Sequence, residues 1–551
     1  MILGIDIGGT HTDAVCLDGR GIQATAKAAT GEDLVDSILE VVHRLGIDYT
    51  ALSRVVLSTT LSTNAIVEKK YAPTGMIVSA GPGIDPRGYF LTDAFLLVKG
   101  AMDHRGREYV PLDPEQVKAA AGTLKAKGIH GLGVVSKFSV RNPAHETAMA
   151  ALLEKDFRYL SMGHTMSGSL NFPRRMRTTY FNTAVMPVQE RFVESVQKAL
   201  TKLGIHAPLF FLKADGGTFA SSAADRLPVE TILSGPAASM MGALALNSHT
   251  KGAAFVFDVG GTTTDMGILV NGLPILEPGG VDIGGVKTLV RGLKVMSVGA
   301  GGDSCICLEE GALRVGPHRS GPPACMGGNS PTPMDAFTAL GESTPGDARK
   351  ALEALAPLAG QRGIAVDELC REIISVMAEN IRQKAIAFVD EVNSHPVYTI
   401  FEMLHPEIVK PERAILIGGP ARLLKPFMEE SLGMECEVPE HFMVANALGA
   451  ALARTTAQIT LMADTQMRRI VCPELHMEKE APSTLSIEDL KSIGIRALHD
   501  HAHILGISDE IEINVIEEQS FNMVRGFNTV GRNMRVKIQT TPGILPLWRE
   551  Q

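Results

Sequence analysis

The stretch Asp6-Ile-Gly-Gly-Thr-His-Thr-Asp13 recurs as Asp258-Val-Gly-Gly-Thr-Thr-Thr-Asp265, and this repeat constrains the fold more than any other feature of the chain. Each copy follows an apolar run, Ile2-Leu3-Gly4-Ile5 or Ala254-Phe255-Val256-Phe257. Each leads into a second run, Ala14-Val15-Cys16-Leu17 or Met266-Gly267-Ile268-Leu269-Val270. Asp18-Gly19 and Asn271-Gly272 come next, dipeptides suited to two-residue hairpin turns whose central residues need positive φ. Each copy thus reads as strand, glycine-rich loop, strand, tight turn, strand. Copies so far apart are not a short-period array and predict two related lobes.

Two glycines between paired strands let backbone N–H groups face an anion without a Cβ in the way. Gly8, Gly9, Gly260 and Gly261 supply that backbone, and Thr10, Thr12, Thr262, Thr263 and Thr264 add hydroxyl donors for phosphate oxygens. A carboxylate gains nothing beside a phosphate unless a cation lies between them. Asp6 and Asp258 are therefore expected to act as catalytic acids and as Mg²⁺ ligands, in part through its waters. Asp13 and Asp265, one strand further on, are expected to orient water or brace the loop. The buried run Arg413–Ile417 ends in Gly418-Gly419-Pro420, a third contact suited to the adenosine half of ATP. Gly301 and Gly302 are candidates for contact with phosphate or ribose.

The rest of the chain alternates helix and strand, as in an α/β architecture with mixed sheets. Leu34, Ile38, Val41 and Leu45 stand at helical spacing and predict a helix over 31–46; Val185, Phe192 and Val196 predict another over 180–203. The Gly-, Pro- and Ser-rich stretch 316–347 reads as a long loop covering a surface or cleft. Beyond about residue 460, Glu510–Val515 and Met534–Ile538 alternate at period two and predict a small α+β appendage.

Composition sets outer limits. The chain has 551 residues, 45% hydrophobic and 21% charged, within the range of soluble globular proteins. A net charge of −9 argues against a nucleic-acid surface, with Arg174-Arg175-Met176-Arg177 the one notable basic run. No apolar stretch suits a membrane span, and the N-terminus lacks the basic segment of a secretory signal. Seven cysteines without a repeated spacing fit a reducing cytoplasm. Cys305 and Cys307 read either as two small core residues or as a metal or redox pair.

At these residues the chain resembles the actin, sugar-kinase and heat-shock ATPase superfamily. Within it, the chain resembles the hydantoinase A/5-oxoprolinase family over roughly residues 1–460. The closer resemblance is carried by Ser58-Thr-Thr-Leu-Ser-Thr-Asn-Ala65, Asn142-Pro-Ala-His-Glu146, Val229-Glu-Thr-Ile-Leu-Ser-Gly-Pro-Ala237, Gly299-Ala-Gly-Gly-Asp-Ser304, and Val315-Gly-Pro317 through Pro323-Ala-Cys325. Asp303 departs from the pattern, which has a third small residue there. The resemblance implies two actin-like (ribonuclease H-like) lobes around a nucleotide cleft: a lobe over 1–170, a second over 171–460 and a C-terminal α+β domain over 461–551. It implies ATP-driven phosphorylation of a carbonyl oxygen in a cyclic amide of the hydantoin or 5-oxoproline type, followed by hydrolysis. Alternatives are the ATP-using subunit of a ketone carboxylase and a reactivating ATPase. A cytoplasmic enzyme working with a B-type subunit, as a homo-oligomer or not, follows from the same resemblance. Thr59, Thr60, Thr63 and Asn64 would line the substrate pocket, the competing role being a helix cap. His145 and Glu146 point apart on a helix and read as structural, as does His104 in a polar turn.

Overall fold

A computed structural model describes residues 1–31, 33–249, 251–342, 346–394, 408–504, 507 and 512–548. The first repeat opens a six-stranded sheet in the order Thr218–Ala220, Leu209–Leu212, Arg54–Thr59, Ile2–Ile7, His11–Asp18, Gly21–Ala29. The second opens a sheet in the order Leu273–Pro274, Thr264–Val270, Ala253–Val259, Arg413–Ile417, Glu435–Glu437, with Val295–Val298 paired to Thr264–Val270. Both begin with a three-strand antiparallel meander whose first strand then takes a parallel neighbour, Arg54–Thr59 or Arg413–Ile417. Those first strands are continuous apolar runs because helices cover them, as buried parallel strands require.

The expected turns came out differently in the two copies. Asn271 (φ 50°) and Gly272 (φ 74°) form the predicted two-residue turn. In the first copy the turn is Gly19-Arg20, one residue later than expected. The Asp18 carboxylate accepts from Arg20 N–H at 2.8 Å, closing an Asx turn, and Gly21 absorbs the distortion at φ 114°.

Helices Ser234–Leu246 and Ala445–Leu452 tie the sheets together, the first touching strands of both. Their crossing is backbone against backbone. A Cβ on Gly242 would collide with the Ala445 carbonyl, one on Gly449 with the Ala238 carbonyl, and one on Gly4 with the Ala447 carbonyl. Glycine at these three positions is thus a packing requirement rather than a turn signal.

Between Arg54–Thr59 and Leu209–Leu212 the chain inserts a parallel four-stranded sheet, Tyr159–Met162, Gly131–Ser136, Thr74–Ser79 and Phe95–Leu97. The expected helix over 180–203 is the end of a longer one, Phe172–Lys202, that packs on this sheet. Because Leu209–Leu212 and Thr218–Ala220 complete the first sheet, that sheet extends beyond residue 170. In the expected loop over 316–347 a helix forms at Pro333–Ala339, capped by Thr332 and Asp335.

A five-stranded antiparallel sheet, Met477–Glu480, Arg469–Cys472, Gln458–Asp464, Asn528–Thr540 and Ile513–Arg525, packs under helix Ile487–Ile504 near the end of the chain. It is fastened to the body by a bidentate Arg105–Asp464 pair and by Gly168 N–H donating to Glu474 at 2.9 Å. The first two residues of the segment expected as Glu510–Val515 lie outside the described residues; its remainder leads into the strand Ile513–Arg525. Among the described residues no helix is long and apolar enough to cross a membrane.

Candidate functional site

The two glycine-threonine loops have the same local geometry. Gly8 N–H donates to the His11 carbonyl at 3.0 Å, and Gly260 N–H to the Thr263 carbonyl at 2.9 Å. Strand register then places Asp6 opposite Asp13 and Asp258 opposite Asp265. The loops converge at one side chain. Asn446 Nδ2, at the start of helix Ala445–Leu452, donates to Asp258 Oδ2 at 2.9 Å, and the same amide lies against the Asp6 carboxylate. Ser239 Oγ, from the other central helix, donates to Asp258 Oδ2 at 2.6 Å.

Acids gathered here raise one another. Burial drives Asp6 up to about 7, against the opposing pull of Ser58, and the charges of Asp13 and Asp258 add to the rise. Burial also raises Asp13, opposed by Lys27 at 2.9 Å. Asp265 is pushed to about 6 by burial, with Ser297 pulling it down and Asp258 pushing it up. Converging acids of this kind gain from a cation placed among them.

Not every predicted donor faces the cleft. Thr12 and Thr264, at equivalent positions, are fully buried: the Thr12 hydroxyl pairs with Thr30 Oγ1 at 3.0 Å, and the Thr264 hydroxyl donates to the Ala300 carbonyl at 2.6 Å. Their hydroxyls are occupied by the protein. Thr10, Thr262 and Thr263 remain partly exposed on the loops. Gly301 and Gly302 also serve the protein first. Gly302 N–H donates to the Gly260 carbonyl at 2.9 Å and Asp303 N–H to the Gly261 carbonyl at 2.6 Å, and a Cβ on Gly301 would lie 2.5 Å from the Gly261 carbonyl. These glycines let one loop support the other. Gly418 (φ 89°) packs on the acid itself, since a Cβ there would come within 2.6 Å of Asp258 Oδ1.

The Thr59–Asn64 segment lies beside the first loop, because Ile7 pairs with Thr59. Thr59 is buried; its backbone exchanges hydrogen bonds with Ser234, the carbonyl accepting from Ser234 Oγ at 2.8 Å. Thr63 Oγ1 accepts from Leu233 N–H at 2.9 Å. The competing capping role holds for Thr59, whose Oγ1 accepts from Leu61 N–H at 3.2 Å at the start of helix Leu61–Val67, but not for Thr60, which makes no side-chain cap and whose hydroxyl accepts from the exposed Asn64 amide at 3.3 Å. Thr60 and Asn64 are thus the members of this group that face outward.

His145 and Glu146 are structural. His145 Nε2 pairs with Glu108 at 2.7 Å, while Glu146 accepts from Ser136 N–H and from His164. Cys305 is half-buried and Cys307 exposed. Among the described residues no group of three or more His, Cys, Asp or Glu side chains is arranged to hold a metal. A cavity of about 530 Å³ on the inserted sheet, lined by Leu112, His145 and Leu152, includes none of the predicted site residues.

Sequence reasoning missed Asn446 and Ser239. Both stand on apolar, small-residue helices and carry no motif, and only the crossing of those helices aims them at the acids. Gly9 and Gly419 border open space, a Cβ on either meeting nothing within 4 Å, so their backbone is free to approach a ligand. The donor set fits Mg²⁺, an ion usually held by one or two carboxylates together with water and phosphate.

The comparisons with known proteins bear on the family and the fold. Residues 175–459 match the Hydantoinase/oxoprolinase family, and residues 2–157 match the Hydantoinase/oxoprolinase N-terminal region. The chain is 26% identical to caprolactamase subunit alpha of Pseudomonas jessenii, over 76% of this chain and 64% of that one. It is 25% identical to 5-oxoprolinase 1 of Arabidopsis thaliana (82% and 41%) and 25% identical to the acetophenone carboxylase gamma subunit of Aromatoleum aromaticum (62% and 53%). It thus spans less than two thirds of the length of each of these relatives. Its fold is similar to that of acetone carboxylase, with TM-score 0.72 at 17% identity over 100% of this chain and 88% of that one. It is also similar to that of the ATP-dependent caprolactamase from Pseudomonas jessenii, with TM-score 0.68 at 20% identity over 98% and 87%. With the family match extending over both sheets and both loops, the chain belongs to the hydantoinase/oxoprolinase family.

Proposed function

We propose that the two loops grip the phosphates of Mg·ATP between actin-like lobes, and that the chain phosphorylates the carbonyl oxygen of a cyclic amide of the hydantoin or 5-oxoproline type. The observation that carries this reading is the Asn446 amide, which donates to Asp258 of one loop-strand unit and is near enough to Asp6 of the other to oppose the rise of its pKa. The metal would be held by Asp6 and Asp258 and would neutralise phosphate charge. Gly9 and Gly261 present backbone to the phosphates while Gly8 and Gly260 close each loop, Gly418 and Gly419 border the adenosine side, and Thr60 and Asn64 face the substrate. The substrate oxygen bonds to the γ-phosphorus as the bond to ADP breaks. Water then adds to the activated carbon, the ring C–N bond opens with the nitrogen taking a proton, and a second water releases phosphate. Phosphoryl transfer of this kind needs mainly positioning and charge stabilisation, which two converging loops and buried acids supply.

A ketone carboxylase role is the second reading, supported by the acetophenone carboxylase gamma subunit among the relatives and by the acetone carboxylase fold. Under either reading the chain is an ATP-using subunit of the cytoplasm that works with a B-type partner; that several relatives are named as subunits supports a partner of some kind. The test is ATP hydrolysis screened against hydantoins, 5-oxoproline and simple ketones, with and without a co-purified partner. Phosphate release stimulated by a cyclic amide supports the first reading; stimulation by a ketone with bicarbonate supports the second. Stimulation by a partner protein alone would refute both in favour of a reactivating ATPase.

A further inference from the structure

Asp303 is the residue that departs from the family pattern, and it lies on the second loop. Its N–H is bound to the Gly261 carbonyl, and its Oδ2 stands 2.7 Å from where a Cβ on Gly261 would be. A bare carboxylate at that point would repel any anion held by the loop. It is not bare, because Arg319 Nη2 pairs with Asp303 Oδ2 at 2.9 Å. Arg319 is brought there by backbone pairing: Cys305 N–H donates to the His318 carbonyl at 2.8 Å, and Gly316 N–H to the Cys305 carbonyl at 2.9 Å. Both charges are felt by His11 at the end of the first loop, which puts the guanidinium within electrostatic range of both loops. The Arg319 side chain is 30% exposed and Asp303 15%, so the arginine lies on the open side of the pair. A guanidinium has five N–H donors in a planar fork that matches phosphate oxygens, and this pair engages one end of it.

We propose that Arg319 contacts the terminal phosphate of the bound nucleotide and that Asp303 holds the guanidinium over the loop until it does. This rests on the reading of the cleft as an ATP site. The pair sets the direction of exchange: a γ-phosphate seated beside the loop offers more negative charge than one carboxylate, so Arg319 turns to it, whereas a diphosphate brings no phosphate within reach of the guanidinium and leaves the Asp303 pairing in place. Arg319 thus discriminates ATP from ADP, and Gly261 must remain without a side chain so that the pair can lie close to the loop.

The test is calorimetric titration of the full chain with Mg²⁺ and a non-hydrolysable ATP analogue, and separately with Mg·ADP. Wild type, Arg319→Ala, Arg319→Lys and Asp303→Asn are compared, and thermal melting confirms that each is folded. Arg319→Ala is expected to bind the triphosphate about ten- to a hundredfold more weakly, as loss of a charge-assisted contact implies, with Mg·ADP affinity within about twofold of wild type. Arg319→Lys, which keeps the charge without the fork, should fall between. Asp303→Asn should bind the triphosphate at least as well as wild type. Unchanged triphosphate affinity in Arg319→Ala, or equal weakening toward both nucleotides, would overturn the proposal, the second by showing that Arg319 only holds the loop. If Arg319→Ala melts early, Arg319→Lys and Asp303→Asn decide it by the same comparison. Wild type binding neither nucleotide would overturn the ATP reading itself, a different result from selective binding that does not involve Arg319.

Discussion

Asn446 and Asp258 are joined at 2.9 Å although one stands on a helix packed against the first sheet and the other on a strand of the second. The bond makes the relative position of the two loops depend on one amide. Asn446→Ala should leave the fold intact, at a cost of about 1 kcal/mol for one lost hydrogen bond. It should weaken Mg·ATP binding by about tenfold, since Asp258 loses a donor that fixes its carboxylate beside the first loop. Calorimetry with urea denaturation checks both halves.

Asp258→Ala removes an acid that accepts from Ser239 and Asn446. ATP turnover should fall to background while circular dichroism remains that of the wild type. Turnover at wild-type levels would refute the role assigned to this residue.

Gly418→Ala should fail for two reasons at once. The backbone there has φ 89°, and a Cβ would press on Asp258 Oδ1. Strain of this type costs about 1–3 kcal/mol. The loss should appear in the urea midpoint together with a greater than proportional loss of nucleotide affinity. Gly449→Ala has no acid beside it and is the control: its Cβ would collide with the Ala238 carbonyl, so stability should drop by about 1–3 kcal/mol while any remaining folded protein binds nucleotide normally.

Gly261→Val should abolish nucleotide binding. The first β-carbon already reaches Asp303 Oδ2 at 2.7 Å, so the side chain must displace the carboxylate or occupy the space over the loop. Titration with Mg·ATP up to millimolar concentration reads the outcome.

Asp215 gives a pH dependence away from the cleft. Burial alone would raise it, but the charges of Lys213 and Arg291, with Gly217 N–H and the Thr456 hydroxyl, hold it below the usual carboxylate range. A depressed folded-state value contributes stability that is present above the ordinary value near 3.8 and is lost as pH falls through the folded one. Urea midpoints should therefore fall steeply below about pH 4 in wild type and less steeply in Asp215→Asn. The variant itself should lose about 3 kcal/mol near neutrality, because it removes the carboxylate facing Arg291 and leaves Lys213 with Glu230 alone.

The repeated Asp-x-Gly-Gly-Thr segments carried their own local structure. Apolar runs, paired glycines and a second run leave few alternatives to a strand, a bare loop and an antiparallel strand, and both copies folded that way. The helix at Leu34–Leu45 was readable for the same reason: its spacing is a property of the segment itself. The site was legible only in part. Asp6, Asp258, Gly8 and Gly260 announce themselves by repetition. Thr12 and Thr264 share that pattern yet face inward, because strand alternation past the loop assigns them to the buried side.

Sequence alone thus determined the two loops and the chemistry each can offer, since those depend on residues adjacent in the chain. Tertiary structure decided which acids meet. Asn446 and Ser239 come from helices with no local signature, and only the glycine-to-backbone crossing of those helices aims them at the acids, while Asp303 and Arg319, each in a stretch readable by resemblance, meet only because a long excursion folds over the second loop. Contacts between distant segments are set by how surfaces pack, and no short stretch of residues encodes that.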